Sequence, residues 1–237
     1  MDRQQQLYAL LEERILLLDG GFGTMIQGYG LQEEAFRGEQ FQGWECPLKG
    51  CNDLLSLTRP EVVGEIHEKY LQAGADIIES NSFNANAISL KDYHLEAYAY
   101  PIAYAAAQVA RKAADAFTER NPQKPRFVAG SMGPTNRTAS MSADVANPAA
   151  REVTFRELVA AYTEQARGLI EGGVDILIVE TIFDTLNAKA ALYAIDTLAE
   201  ELGRQIPIMV SGTLADKSGR TLSGQTVEAY YTSLSHA

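Results

Sequence analysis

The chain has 237 residues, 46% of them hydrophobic, and a formal net charge of −11 from 20 Lys and Arg against 31 Asp and Glu. This length and composition allow one large or two small globular domains with a sizeable core. The negative charge argues against nucleic acid and anionic membrane surfaces as partners, because both repel an acidic protein.

The N-terminal residues are polar, and no apolar run approaches the ~20 residues that a membrane helix needs. We therefore expect neither a secretory signal nor a membrane span. Cys46 and Cys51 are the only cysteines in the sequence. Such sparse cysteine usage is typical of the reducing cytoplasm, and we predict a cytoplasmic protein.

Five apolar runs end abruptly in acidic, amide or hydroxyl residues. They occupy residues 16–21, 75–81, 127–131, 176–181 and 208–213. A buried parallel strand shows this pattern where it emerges at the edge of a sheet. The sequence therefore predicts five strands whose polar ends form one rim.

Helical patterns separate the first three of these strands. Thr58 is expected to cap a helix that has Pro60 in its first turn and ends at Gly74. A long alanine-rich helix follows, and we expect a break or kink near Pro101.

The second half of the chain continues the alternation. A helix is predicted from about residue 151 to 171, and Asp184 is expected to cap the next one. After a glycine-containing loop at 216–220, the last helical pattern begins at Thr226. It reaches residues 236–237 without a closing strand, so we expect that the chain covers part of a longer fold.

Repeated βα units predict a parallel sheet, either closed as a barrel or open and doubly wound. A complete (β/α)8 barrel takes ~250 residues, whereas five units already occupy this chain. An open five-stranded sheet fits the length better, but periodicity leaves both folds open. Because no linker or internal repeat is evident, we predict one domain, residues 1–237.

Gly21 and Gly23 follow the first predicted strand, as the first glycines of a dinucleotide-binding fingerprint would. Ile26 occupies the third glycine position, no helical pattern opens there, and no acidic residue ends a second strand about 20 residues on. We do not expect nucleotide binding at this turn.

Asp19 and Glu180 each end an apolar strand, where an unpaired carboxylate costs several kcal/mol and is usually retained to meet a cation or a donor. Together they suit an ammonium group, although each could instead cap a neighbouring loop. Gly20, Gly21 and Gly23 expose backbone amides that suit a carboxylate. An α-amino acid carries both charges and is the predicted ligand.

Other polar residues are less informative. Glu79 and Asn81 could add an acceptor and a donor to the rim, although Asn81 could equally begin a turn. Cys46 and Cys51 lack the further ligands of a structural zinc site, so we expect no metal there. No lysine ends a predicted strand, which disfavours a Schiff-base aldolase.

Five long motifs carry a family resemblance. They lie at residues 19–25, 74–84, 133–140, 180–189 and 211–226. These motifs resemble the N-terminal homocysteine-binding module of the cobalamin-dependent methionine synthases, from about Leu7 to the last residue. The resemblance implies a (β/α)8 TIM barrel, of which this chain would hold about the first five βα units.

The resemblance also implies roles for individual residues. Asp19 and Glu180 would bind the amino group of L-homocysteine, and the backbone around Gly20 to Phe22 would receive its carboxylate. The predicted substrate-binding residues are Asp19, Gly20, Gly21, Phe22, Glu79, Asn81 and Glu180. The family's three zinc-binding cysteines belong to later strands, so we expect them beyond Ala237 and expect no metal ligand or catalytic residue in this chain.

In the complete enzyme that the resemblance implies, zinc would hold the homocysteine thiolate. Methylcobalamin, recharged by 5-methyltetrahydrofolate, would donate the methyl group. Downstream folate- and cobalamin-binding modules of the same polypeptide would be the partners, and this chain alone would be inactive. Two alternatives stay open: a homocysteine methyltransferase that uses betaine or S-methylmethionine, and a non-catalytic amino-acid-binding or assembly domain if the natural chain ends at residue 237.

Overall fold

A four-stranded parallel sheet forms the centre of the computed structural model, which describes residues 2–142, 144, 146–215 and 217–236. Asp216 and Ala237, which fall within the predictions above, lie outside these residues. The strands are β1 (Ile77–Glu79), β2 (Phe127–Met132), β3 (Ile176–Ile182) and β4 (Ile208–Gly212). Their order in the sheet is β1-β2-β3-β4, and every neighbouring pair is parallel.

Helices connect and cover the strands. In the described part of the chain they are α1 (Arg3–Glu13), α2 (Phe22–Gln27), α3 (Glu33–Arg37), α4 (Leu55–Thr58), α5 (Pro60–Ala73), α6 (Ala87–Leu90), α7 (Ala99–Arg120), α8 (Phe155–Gly172), α9 (Thr185–Leu202) and α10 (Val227–Leu234). Short 3₁₀ turns lie at Asn52–Leu54, Lys91–Tyr93 and Glu96–Tyr98. None of these described helices is long and apolar enough to span a membrane.

The first predicted strand is reduced to a bridged segment, which corrects the prediction of five strands. Leu18 pairs with Ile77 in a single parallel bridge. The Leu17 carbonyl accepts hydrogen bonds from the amides of Asp76 and Ile77, at 2.7 and 3.0 Å. However, the Leu17 amide donates to the Asp76 carboxylate at 2.9 Å. The Asp76 side chain therefore replaces the backbone carbonyl that the Leu17 amide would bind in a regular strand. The pairing of this segment with β1 does not extend beyond the single bridge.

The strand order decides between the two sheet types that periodicity left open. A doubly wound sheet reverses its strand order at a switch point, whereas here each strand lies beside the strand that precedes it in the chain. Right-handed βαβ crossovers repeated in one direction produce a barrel. The α/β fold is therefore that of the first part of a (β/α)8 barrel.

Several predicted helix boundaries need correction. Thr58 does not cap α5; its hydroxyl donates to the carbonyl of Leu54, the residue directly before α4, and Arg59 is the N-cap. Pro101 lies in the first turn of α7, where a missing amide hydrogen costs nothing, so the helix is not broken there. Gly74, with a φ of +114°, ends α5 as predicted.

The N-termini of α8, α9 and α10 lie closer to the positions predicted from the sequence. α8 begins at Phe155, four residues after the predicted start, with a capping box between Thr154 and Glu157. Asp184 accepts a 2.8 Å hydrogen bond from the Leu186 amide at the start of α9, and Thr226 caps α10. The Asp184 cap was predicted, whereas for Thr226 the prediction was only that the last helical pattern begins there.

Arginines and buried aspartates join α1 to the amino-terminal edge of the sheet. Arg14 binds Asp76 with two hydrogen bonds of 2.8 and 2.9 Å. Arg3 and Arg111 both pair with Asp175, whose side chain is 5% exposed. Each aspartate precedes a strand, so its bidentate or double pairing fixes the helix across that end of the sheet.

The far edge of the sheet is apolar and open in the described part of the chain. β4 pairs with β3 alone there, and Ile208 and Val210 are 39% and 42% exposed. Tyr231 on α10 is 70% exposed. An uncovered strand of this kind favours association with a further strand or a second surface.

We predict that Gly168→Ala destabilises the fold, whereas Gly64→Ala is neutral or stabilising. A Cβ atom at residue 168 would lie 2.9 Å from the Tyr100 carbonyl oxygen and 3.0 Å from the Ala103 Cβ atom, so α7 and α8 would have to separate. At residue 64 the nearest atom would be Cγ1 of Val109, at an ordinary 3.8 Å.

Both glycines lie inside helices, so the helix propensity of alanine favours both variants by about 1 kcal/mol. We expect the free energies of unfolding to differ by about 1–3 kcal/mol because overpacking acts at residue 168 alone. Urea unfolding followed by circular dichroism measures this difference. Equal stabilities would contradict the close contact of α7 with α8.

Candidate functional site

A cavity of about 450 Å³ opens at the carboxyl ends of the strands. It is lined by Asp19, Gly20, Gly21, Phe22, Gly23, Asn52, Asp53, Glu79, Ser80, Asn81, Ser82, Phe83, Asn84, Ser131 and Glu180. All seven of the predicted substrate-binding residues are among them. The structure therefore brings together residues that are as far apart in sequence as 19 and 180.

Asp19 is fixed beside the end of β1. The bridge between Leu18 and Ile77 places the chain alongside β1. The carboxylate of the next residue, Asp19, therefore faces the end of this strand. Both oxygens of Asp19 lie 3.1 Å from the backbone nitrogen of Glu79, which donates a shared hydrogen bond. The two acidic residues are therefore held next to each other by the backbone.

Glu180 reaches the cavity through an irregularity in β3. The pairing with β4 shifts register between Val179 and Ile182, and Thr181 has a φ of +56°. This left-handed conformation is strained for a β-branched residue. Bulges of this kind redirect side chains, and here the Glu180 carboxylate accepts a hydrogen bond from the Ser131 hydroxyl.

Burial raises the proton affinity of all three carboxyl groups, and the charge of Glu180 adds to this effect at Asp19 and Glu79. Burial, with the charge of Glu180 added, raises the pKa of Asp19 to about 7. Burial and the charges of Glu180 and Asp19 raise the pKa of Glu79 to about 8. Burial also raises the pKa of Glu180, against the hydrogen bond from Ser131.

No lysine, arginine or histidine is among the described residues that line the cavity. Negative charges that lack a protein cation are costly in a confined site. An ammonium group would relieve this cost. The cavity therefore has the chemistry of a cation-binding site.

The glycine turn lies on the same wall. α2 begins at Phe22 with Gly21 as its N-cap, so the expectation that no helix opens at this turn was wrong. The first amides of a helix have no partner within it and point outward. From α5, Tyr70 donates to the Gly21 carbonyl at 3.3 Å, and the His67 ring packs 5.1 Å from that of Phe22.

Asn81 has a structural role that the sequence left open. Its amide nitrogen donates to the Asn52 carbonyl at 2.8 Å and to the Ser56 hydroxyl at 3.1 Å. The donor that was expected to face a ligand therefore holds the segment before α4 against β1. Asn81 lines the cavity, but this nitrogen is already engaged.

Asp53 is a cavity residue that sequence reasoning missed. It is 3% exposed, and burial raises its pKa to about 6, although its carboxylate accepts a 2.8 Å hydrogen bond from the Asn84 amide. Asp53 lies in the long connection before α4 and ends no strand. The one sequence signal was an acid directly before the apolar pair at residues 54 and 55.

The cysteines lie apart from the cavity lining. Cys46 donates to the Tyr93 carbonyl at 3.1 Å, and burial raises the pKa of Cys51. Among the described residues, no group of three or more His, Cys, Asp or Glu side chains is placed to hold a metal ion. The described residues therefore do not fit a zinc centre.

Comparison with known proteins identifies a family and a fold. The family model described as homocysteine S-methyltransferase matches residues 16–237. The chain is also similar to solved structures of the homocysteine methyltransferase MmuM from Escherichia coli. The metallated form has a TM-score of 0.72 and 23% identity over 97% of this chain and 74% of that chain.

The apo and oxidized forms of MmuM give similar results. The apo form has a TM-score of 0.69 and 23% identity, covering 97% of this chain and 71% of that chain. The oxidized form has a TM-score of 0.72 and 24% identity, with 97% and 72% covered. At these identities the structures establish a shared fold.

We predict that Glu79→Gln weakens the pH dependence of stability. A carboxyl pKa near ~4 in the unfolded chain is raised to about 8 for Glu79 in the folded protein. Folding therefore takes up a proton between these values, and its contribution to stability falls as pH rises from about 4 to about 8. The glutamine variant should gain about 1–3 kcal/mol over the parent between pH 5 and pH 8.

Urea unfolding of parent and variant at both pH values measures this gain. Buried His67 has its pKa lowered to about 3 by burial and acts in the opposite direction, so the comparison is always with the parent. Glu68→Gln, an exposed position on α5, is the control and should follow the parent. A Glu79→Gln profile that coincides with the control would contradict the prediction.

Proposed function

The chain belongs to the homocysteine S-methyltransferase family, and on this premise we propose that its cavity binds the amino-acid part of L-homocysteine. The observation that carries the proposal is the meeting of three carboxyl groups, Asp19, Glu79 and Glu180, in a cavity whose described lining holds no basic side chain. A substrate ammonium group would supply the missing positive charge.

Asp19 and Glu180 would accept hydrogen bonds from the ammonium group. Both are already oriented, one by the Glu79 amide and the other by the Ser131 hydroxyl. The backbone amides around Gly20, Gly21 and Phe22 would receive the substrate carboxylate. Oriented acceptors and donors lose little freedom on binding, which favours affinity.

Holding both charged groups fixes the direction of the rest of the substrate. The side chain that carries the thiol would then project from a defined Cα position. In methyl transfer the sulfur attacks the methyl carbon in line with the bond that breaks. Fixing the substrate in this orientation lowers the activation barrier, because its rotational freedom is already lost on binding. The role of the present residues is therefore to bind and orient.

We further propose that residues 1–237 are part of one homocysteine-binding barrel of a methionine synthase in the cytoplasm. The motifs at residues 74–84 and 180–189 support this assignment by resemblance. The exposed apolar residues of β4 and α10 would be covered by further βα units. Zinc would be held by cysteines outside the residues present here, and folate- and cobalamin-binding modules of the same polypeptide would supply the methyl group.

An alternative keeps the cavity and changes the methyl donor to betaine or S-methylmethionine. The cavity recognises only the amino-acid end of homocysteine, which every such enzyme shares. A non-catalytic amino-acid-binding domain would also use the same carboxylates. The alternatives therefore differ in the donor and in turnover, and not in Asp19 or Glu180.

We predict that Glu180→Gln weakens binding of L-homocysteine by about tenfold to a hundredfold, because a charge-assisted hydrogen bond contributes ~1.5–3 kcal/mol. The analogue 4-mercaptobutanoate lacks the amino group and should bind parent and variant equally. Isothermal titration calorimetry with both ligands measures the difference.

The matched control for this experiment is Glu200→Gln, an exposed position on α9, which should bind both ligands as the parent does. Equal loss of both ligands in Glu180→Gln would indicate a general disturbance of the cavity. Unchanged homocysteine affinity would reduce Glu180 to a structural residue and contradict the proposal.

We also predict that the complete gene product forms methionine from homocysteine with methylcobalamin and 5-methyltetrahydrofolate as donors. Betaine and S-methylmethionine should give no product above the rate without enzyme. Chromatographic measurement of methionine with each donor decides the assignment. Turnover with S-methylmethionine or betaine alone would favour the alternative, and no turnover with any donor would favour a binding domain.

A further inference from the structure

Three of the four carboxyl groups that line the cavity, those of Asp19, Glu79 and Glu180, differ in the hydrogen bonds that they accept. Asp19 is paired with the Glu79 backbone amide, and Glu180 with the Ser131 hydroxyl. The side-chain carboxyl group of Glu79 has no hydrogen bond or ion pair with any described residue. Hydrogen bonds donated to a carboxylate favour its ionised form, so Glu79 lacks the support that the other two carboxylates have.

The groups that face Glu79 reinforce this difference. Asp19 comes from the bridged segment and Glu180 from β3, and the charge of each raises the pKa of Glu79. Asp53 adds another acid to the lining. Tyr70, on α5, is a neutral phenol whose pKa is raised by burial and by Asp19 and Glu79. In the described lining, no cation offsets these charges.

We propose that Glu79 carries a proton in the ligand-free protein and releases it when the ammonium group of an amino acid enters the cavity. The inference rests on the proposed function and deepens it. The O–H bond of the Glu79 carboxylic acid breaks, and its proton passes to water. The resulting carboxylate accepts a hydrogen bond from the ammonium group, which keeps all three of its protons, so one proton is released for each amino acid bound.

This exchange would make recognition sensitive to charge. A neutral ligand of the same shape offers no positive charge to displace the proton, and it would meet a carboxylic acid in place of a carboxylate. The affinity for an amino acid would rise with pH between about 6 and 8, because less work is needed to remove the proton. Glu79 would thus be a specificity-determining residue, while Asp19 and Glu180 are acceptors oriented by the hydrogen bonds that they already accept.

Isothermal titration calorimetry at pH 7 in buffers of different ionisation enthalpy counts the protons released. The ligands are L-homocysteine and L-methionine, the second of which has no thiol proton to confuse the count. We expect the parent to release about half to one proton for each ligand bound. Glu79→Gln should bind with a release close to zero, and the exposed control Glu68→Gln should match the parent.

A second measurement needs no variant. The infrared carbonyl band of a protonated carboxylic acid should be present in the parent chain at pH 7 and should disappear when L-methionine or L-homocysteine is added. Binding without proton release, or release that Glu79→Gln keeps in full, whether Asp19 or Asp53 supplies it, would overturn the inference and leave the proposed function standing. Failure of both amino acids to bind would overturn the proposed function and the inference with it.

Discussion

Parallel strand pairing in sequence order is the constraint on which the rest of the structure depends. It places the carboxyl ends of β1, β2 and β3 at one edge of the sheet, where Glu79, Ser131 and Glu180 meet. The bridged segment before α2 adds Asp19 to the same edge. No local sequence feature could bring these residues together, because their proximity follows from the register of the sheet.

Buried acids at the amino-terminal ends of the strands are paired with arginines, whereas those at the carboxyl ends are not paired with a described cation. At the amino-terminal edge, burial alone would raise the pKa of Asp76, but the hydrogen bonds from Arg14 lower it. Asp175 is likewise met by two arginines. At the carboxyl edge, Asp19 and Glu79 have no such cation among the described lining residues, and their pKa values rise. The acids at the amino-terminal end of the sheet are therefore neutralised by arginines of the protein, whereas the charges of the acids at the carboxyl end are not balanced by any described lining residue.

Much of the site could be predicted because each signal was local. An acid at the end of an apolar run identified Asp19 and Glu180, and the following glycines identified the turn at residues 20–23. The same local logic failed where a distant side chain decides the outcome. Residues 16–18 read as a strand, but the Asp76 carboxylate takes the Leu17 amide.

Two further features of the site could not be predicted from the sequence. The left-handed backbone conformation of Thr181 could not be predicted from the sequence, because β-branched residues normally avoid it. Asp53 lies in the short 3₁₀ turn before α4, and its carboxylate is held in the cavity by the contact with the Asn84 amide. These features need the tertiary structure: Thr181 follows Glu180, which lines the cavity, and Asp53 lines the cavity itself.

The orientation of bound homocysteine tests the central claim most directly. A crystal structure of the protein with L-homocysteine should place the ammonium nitrogen about 3 Å from carboxylate oxygens of Asp19 and Glu180. It should place the substrate carboxylate at the backbone amides of residues 20–22. A ligand bound in the reverse orientation, or outside the cavity, would contradict the account.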